Sequence, residues 1–175
     1  DNGVEKNIKL LAEAKSKNVS DINVCVLKRP RHDKIIKELT KLNVNINYIT
    51  DGDIAGALSV IGDKPKNDIY YSTGGGPEGV IVAAALSCFG GQIQGRLVLD
   101  DEEKLRAKKL GIKDFNKKYN INDMVKGDVI FCATGVTSGD LANGVKDLGN
   151  EFEVNTFALH KSQKTSKSVK NIYNK

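Results

Sequence analysis

Among 175 residues the sequence has no tryptophan, two histidines, three cysteines, three prolines and no run of about 18 apolar residues. The missing apolar run excludes a membrane-spanning helix. With 39% hydrophobic and 28% charged residues, the chain reads as a soluble globular protein about one domain long, not a disordered one. Cys25, Cys88 and Cys132 are odd in number, far apart and set in apolar runs, with no CxxC pair. They fit reduced core cysteines in a cytoplasmic protein better than a disulfide framework. His32 and His160 stand without histidine partners at ligand spacing, which argues against a histidine-zinc site. There is no elbow motif for a serine or cysteine triad.

The net charge of +5 and pI near 9.0 permit phosphate-bearing partners. Much of that charge lies in 104–118 and 161–175 without interleaved aromatics, so a nucleic-acid partner is not expected. The opening residues Asp1 to Asn7 have neither Met nor the basic and apolar regions of a signal peptide. The numbering is expected to start after processing or inside a longer protein.

Apolar residues at Val4, Ile8, Leu11 and Ala12 recur at helical spacing and predict an amphipathic helix over 3–17. A β-branched strand follows at 22–27, then Arg29-Pro30-Arg31-His32, where Pro30 keeps Arg29 out of the helical region. Ile35, Ile36, Leu39 and Leu42 mark a helix, 44–49 a strand, 54–61 a short helix and 69–72 a third strand. Gly74-Gly75-Gly76-Pro77-Glu78-Gly79 then turns into an apolar helix ending at Phe89, with Pro77 suited to the first turn. Further strands are expected at 96–99, 129–133 and 152–159, the last extending as far as Tyr173, with a charged helix at 102–110. Residues 161–175 read as a final strand or a basic tail. Strands alternating with helices predict an α/β architecture with ligands at the strands' carboxyl ends.

Four polar segments follow strands: Arg29-Pro30-Arg31, Asp51-Gly52-Asp53, the glycine run through Glu78, and Thr134 to Asp140. If their strands are neighbours, guanidiniums, carboxylates and glycine amides converge on one cleft. Arg29 and Arg31 match phosphate oxygens, or simply flank a turn proline. Asp51 and Asp53 can accept hydrogen bonds from sugar hydroxyls or ligate a hard cation, or cap a turn and the next helix. The glycines can bring amides to an anion at a helix N-terminus. Glu78 complements the helix dipole, or holds a divalent cation beside that anion. The segment at 134–140 is read as a strand-to-helix turn with a cap.

Arg29-Pro30-Arg31-His32, Asp51-Gly52-Asp53, Gly74 to Gly79, Gln94-Gly95-Arg96 and Thr134 to Leu141, in that order, resemble the later half of the bacterial class II fructose-1,6-bisphosphatases. The resemblance runs from about Val24 to Leu159. It implies the C-terminal half of a layered αβαβα sandwich, residues 1–160 being the α/β part. It also implies hydrolysis, with Mn2+ or Mg2+, of the 1-phosphate of fructose 1,6-bisphosphate. By the same resemblance, Arg29, Pro30, Arg31, Asp51, Gly52, Asp53 and Gly75 are substrate-contacting and Glu78 is a metal ligand. Carboxylate-held metals would neutralise the phosphoryl group and activate water, while the basic and DGD segments orient the sugar.

The family's other metal carboxylates and its catalytic threonine lie in an N-terminal half that this sequence does not contain, so no catalytic residue is expected here. The chain is expected to need that half as a partner, to turn over little without it, and to expose apolar surface where it packs. A homo-oligomer is compatible with the reading. The alternatives are a non-catalytic sugar-phosphate-binding module, which would bind phosphosugar without metal, and a basic nucleic-acid-binding domain with salt-sensitive affinity.

Overall fold

The computed structural model describes residues 2–62 and 64–175. The chain is α/β, as expected, and divides into two compact units, Asp1–Gly74 and Gly75–Lys175.

The first unit contains α1 (Val4–Ala14), β1 (Asn23–Leu27), α2 (Asp33–Lys41), β2 (Asn45–Ile49), α3 (Asp53–Leu58) and β3 (Ile69–Tyr71). Its sheet is parallel, in the order β2-β1-β3. The central strand is buried almost throughout because both faces are covered. Val24 and Val26 face a core with Ile8 and Ala12 of α1 and Leu39 of α2. Each large aliphatic side chain buried there contributes about 1.5–3 kcal/mol. Cys25 and its register partner Tyr70 point to the opposite face, which α3 covers. A Cβ at Gly56 of α3 would lie 2.5 Å from Ile49 Cδ1 and 3.0 Å from the Tyr70 ring, so glycine lets the helix lie directly on that ring.

Two networks close the strand starts. Asp68 accepts from the Asn23 N–H at 2.9 Å and from Lys15 and Lys17 at 2.7 and 2.9 Å, pinning the end of α1 to the starts of β1 and β3. Asn67, almost fully buried, donates to Ser59 Oγ and accepts from Asn47. The helix expected over 54–61 ends at Leu58; Ser59 Oγ turns back to the Gly56 carbonyl at 2.6 Å, a side-chain bond that competes with the helical ladder.

The second unit holds α4 (Gly76–Phe89), β4 (Gln94–Gly95), α5 (Asp101–Lys109), β5 (Tyr119–Asn120), α6 (Ile121–Met124), β6 (Ile130–Thr134), β7 (Lys146–Asp147), β8 (Glu151–His160) and β9 (Thr165–Asn174). Here helix and strand alternate only as far as β6, after which three strands follow one another. β4 and β5 form a two-stranded ribbon, and β6 to β9 form an antiparallel sheet with β8 paired to β6 and β7 and also to β9. α5 starts on a capping box in which Asp100 and Glu103 exchange backbone bonds. Phe131 and Leu159 are buried on the sheet face toward α4, whose Val82, Ala83, Ala85 and Leu86 are buried. The opposite face leaves Ile130 69% and Tyr173 54% exposed.

Two strand expectations are corrected. The run at 96–99 is not a strand: pairing ends at Gly95, and Val98 is 76% exposed with no strand partner to pack on. The run from 152 to 173 is not continuous. Lys164 adopts a positive φ of 48°, its N–H bonds to the Lys161 carbonyl at 3.2 Å, and the chain reverses into β9. β9 lies at the sheet edge and carries Lys167 and Lys170, charges of the kind that discourage edge-to-edge pairing.

Candidate active site

Within the first unit the parallel sheet gathers Arg29-Pro30-Arg31, Asp51-Gly52-Asp53 and the start of the glycine run at Gly74, because β2 and β3 flank β1 and all three end on the same side. After β1, Arg29 is extended (φ −140°, ψ 150°), as the following proline requires, and Pro30 to His32 make a single 3-10 turn. Arg31, exposed, donates through Nε to the Thr73 carbonyl at 2.5 Å. His32, fully buried, accepts the Thr73 N–H through Nε2 at 2.8 Å. That N–H can only donate, so the ring proton sits on Nδ1 and bonds to the Leu27 carbonyl at 2.6 Å. Both backbone polar groups of Thr73, the second residue after β3, are thus held by the turn after β1. Arg29 Nη1 donates to the neighbouring Lys28 carbonyl at 3.3 Å.

After β2, Gly52 takes a left-handed conformation (φ 82°) that favours glycine, and Asp51 Oδ1 accepts the Gly52 N–H at 2.8 Å. The expected cap role of Asp53 is not seen. Gly52 is the N-cap, Asp53 is the first residue of α3, and no side chain caps the helix. Its Oδ1 instead accepts hydrogen bonds from the Tyr70 hydroxyl and from Ser72 Oγ, the latter at 2.9 Å. Burial, reinforced by the Asp53 carboxylate, pushes the Tyr70 hydroxyl well above its ordinary pKa, so it remains a donor. The Asp53 carboxylate also lies against Gly74, where a Cβ would stand 3.4 Å from Oδ2.

Gly75 and Glu78 belong to the second unit. Gly75 is the N-cap of α4, Pro77 sits in the first turn, and Glu78 is exposed with its carboxylate folded over the Gly75 α-carbon. Glu78 is one carboxylate, whereas hard cations take six or more oxygen ligands. Among the described residues no three His, Cys, Asp or Glu side chains gather to hold a metal ion. The described residues do not by themselves make a Mn2+ or Mg2+ site.

The fourth segment departs from expectation. Thr134 closes β6, and the chain runs on to β7 through a tight excursion, not a helix. Val145 N–H bonds to the Val136 carbonyl at 3.2 Å, Gly139 N–H to the Ala142 carbonyl at 3.0 Å, and Gly144 N–H to Ser138 Oγ at 3.0 Å. Gly135 abuts the Asn143 backbone, and a Cβ at Gly144 would lie 2.6 Å from Ser138 N. The glycines are there because the two arms touch.

The sequence alone does not mark His32, Tyr70, Ser72 and Thr73 as site residues. A histidine next to two arginines at a strand end was the available signal for His32; Tyr70 and Ser72 carry none, because their role depends on α3 lying over β3.

Polar groups gathered at the carboxyl ends of parallel strands mark an α/β protein of the kind that binds ligands at strand ends. The family described as bacterial fructose-1,6-bisphosphatase, glpX-encoded, matches residues 1–173. The chain belongs to that family. A D-fructose 1,6-bisphosphatase class 2/sedoheptulose 1,7-bisphosphatase of Synechococcus sp. (strain JA-2-3B'a(2-13)) is 35% identical over 185 residues, covering 98% of this chain and 53% of the relative. A fructose-1,6-bisphosphatase class 2 of Haemophilus influenzae is 34% identical, covering 97% of this chain and 55% of the relative. The chain spans about half the length of the curated relatives it matches.

Proposed function

We propose that this chain forms the sugar-phosphate-binding part of a longer protein that hydrolyses the 1-phosphate of fructose 1,6-bisphosphate to give fructose 6-phosphate in the cytoplasm. The carrying observation is the adjacency of the Arg29 to Arg31, Asp51 to Asp53 and Ser72 to Gly74 segments at the ends of three paired strands.

In this reading Arg29 and Arg31 hold the phosphate that is not cleaved, since guanidinium forks stay charged and match its oxygens. Asp51 and Asp53 accept hydrogen bonds from sugar hydroxyls, with Gly52 shaping the turn. The Gly75 amide and the α4 N-terminus favour an anionic oxygen. Glu78 supplies one ligand to Mn2+ or Mg2+, and the remaining ligands come from outside this chain. These residues bind and orient; bond cleavage is not assigned to any of them, and the chain by itself is expected to be inactive.

The test is phosphate release from fructose 1,6-bisphosphate with Mn2+ or Mg2+. It compares this chain, a longer protein extended to the length of the relatives, and Glu78→Gln in the latter, all shown folded by circular dichroism. Metal-dependent release by the longer protein, absent from the short chain and cut by more than about tenfold in Glu78→Gln, supports the proposal; even a group supporting a metal ligand costs that much. A folded longer protein without release sinks the phosphatase reading, and retained activity in Glu78→Gln removes the ligand role.

A further inference from the structure

The carboxylate of Asp53 is not free to choose its orientation. Its Oδ1 accepts from two donors on β3 and the residue after it, the Tyr70 hydroxyl and Ser72 Oγ. The arrangement depends on three features of chain placement. Asp53 and Gly56 lie one turn apart on α3, so they share a side of the helix. Gly56 brings that side down onto the Tyr70 ring. Tyr70 and Ser72 are two residues apart on an extended chain, so both point toward the same face.

We propose that Tyr70 and Ser72 are positioning residues that lock Asp53 Oδ1 and leave Oδ2 as the single acceptor offered to a hydroxyl of the bound sugar phosphate. The inference rests on the reading of Asp53 as a substrate-contacting residue. A carboxylate with one oxygen saturated by two donors presents the other in a fixed direction, so a ligand hydroxyl meets a preorganised acceptor and loses less freedom on binding. The half-buried tyrosine keeps its proton, so the same arrangement offers the ligand only an acceptor; a sugar lacking the matching hydroxyl leaves Oδ2 unpaired. Tyr70 and Ser72 touch Asp53 and act through it.

The experiment uses the protein expressed from its complete gene and reads KM and kcat for fructose 1,6-bisphosphate. The variants are Asp53→Ala, Tyr70→Phe, Ser72→Ala, Ser72→Thr and the double Tyr70→Phe/Ser72→Ala, each with its melting temperature. Tyr70→Phe keeps the ring under α3 and Ser72 is exposed, so the fold survives both changes. The expected result is a KM raised about tenfold or more in the double variant with kcat within about threefold of the parent, the loss of charge-assisted hydrogen bonds being felt in binding. Ser72→Thr, which retains the hydroxyl, restores KM relative to Ser72→Ala. An unchanged KM in the double variant, while Asp53→Ala raises it, overturns the positioning role and leaves Asp53 as a contact. An unchanged KM in Asp53→Ala overturns both. Equal falls in kcat and melting temperature across the set would show a structural role and also overturn the proposal.

Discussion

The buried imidazole of His32 receives the backbone N–H of Thr73 at 2.8 Å, so the turn after β1 and the turn after β3 are one hydrogen-bonded unit. The second ring nitrogen fastens the same imidazole to the Leu27 carbonyl. Replacing it with phenylalanine keeps the ring volume but leaves a buried donor and acceptor unsatisfied, at about 1–3 kcal/mol each. His32→Phe is expected to lower unfolding stability by about 3 kcal/mol in urea titrations; a loss below about 1 kcal/mol would show that these two bonds do not hold the strand ends.

Asp68 governs the acid limb of stability. Burial raises its pKa, but the Asn23 amide and the Lys15 and Lys17 ammonium groups outweigh that and hold it down to about 2, against an ordinary 3.8. The folded state therefore resists protonation more than the unfolded chain. The stabilisation is present above about pH 4 and is lost as pH falls toward 2. Asp68→Asn should remove part of that acid dependence and cost about 1.5 kcal/mol or more at neutral pH, the scale of a hydrogen bond to a charged group. Unfolding curves from pH 2 to 7 that superimpose for the two proteins would refute it.

His160 behaves in the opposite sense. Asp128 Oδ2 lies 2.8 Å from its Nε2, and that hydrogen bond raises the imidazole pKa, while Ser162 and the imidazole hold the Asp128 carboxyl well below the usual range. For a raised histidine, the stabilisation is complete below the ordinary value of about 6.5 and fades as pH rises through the folded pKa. Asp128→Asn is expected to return the His160 titration, followed by NMR of the imidazole protons, toward its ordinary position. A titration that does not move would place the cause elsewhere.

Gly144 is expected to reject any side chain. A Cβ there would stand 2.6 Å from Ser138 N and 2.8 Å from the Thr137 carbonyl carbon, and these are backbone atoms that move only with the loop. Gly144→Ala should destabilise by about 1–3 kcal/mol, the usual cost of overpacking, and should raise protease cleavage between 135 and 145. An unchanged cleavage pattern would mean the two arms have room to part.

The parallel half was legible because its signals are local. Val24 to Leu27 is continuously apolar, as a strand covered on both faces must be, and Pro30, which has no N–H for a strand ladder, lies just past its end. Ile35, Ile36 and Leu39 recur at helical spacing, and α2 follows them. Polar strand ends were visible for the same reason.

The second half was less legible because its signals were ambiguous. Leu97, Val98 and Leu99 have strand composition but no partner strand, and pairing decides a strand. Phe152 to Tyr173 looked continuous because a reversal at Lys161 to Lys164 carries neither proline nor glycine. Thr137, Ser138 and Asp140 resemble a helix cap, and it is the close packing of Gly135 and Gly144 that turns the segment into a hairpin-like excursion.

The order of residues by itself determined the α/β class, the strands and helices of the first unit, the turn residues Pro30 and Gly52, and the motifs that place the chain in its family. These follow from backbone restriction and short-range apolar period, which act within a few residues. Tertiary structure decided that Asp53 answers to Tyr70 and Ser72 instead of capping its own helix, and that His32 and Arg31 hold Thr73. Those partners lie 17 to 42 residues apart in sequence, so only the packing of α3 and the adjacency of β1 and β3 bring donor and acceptor within reach.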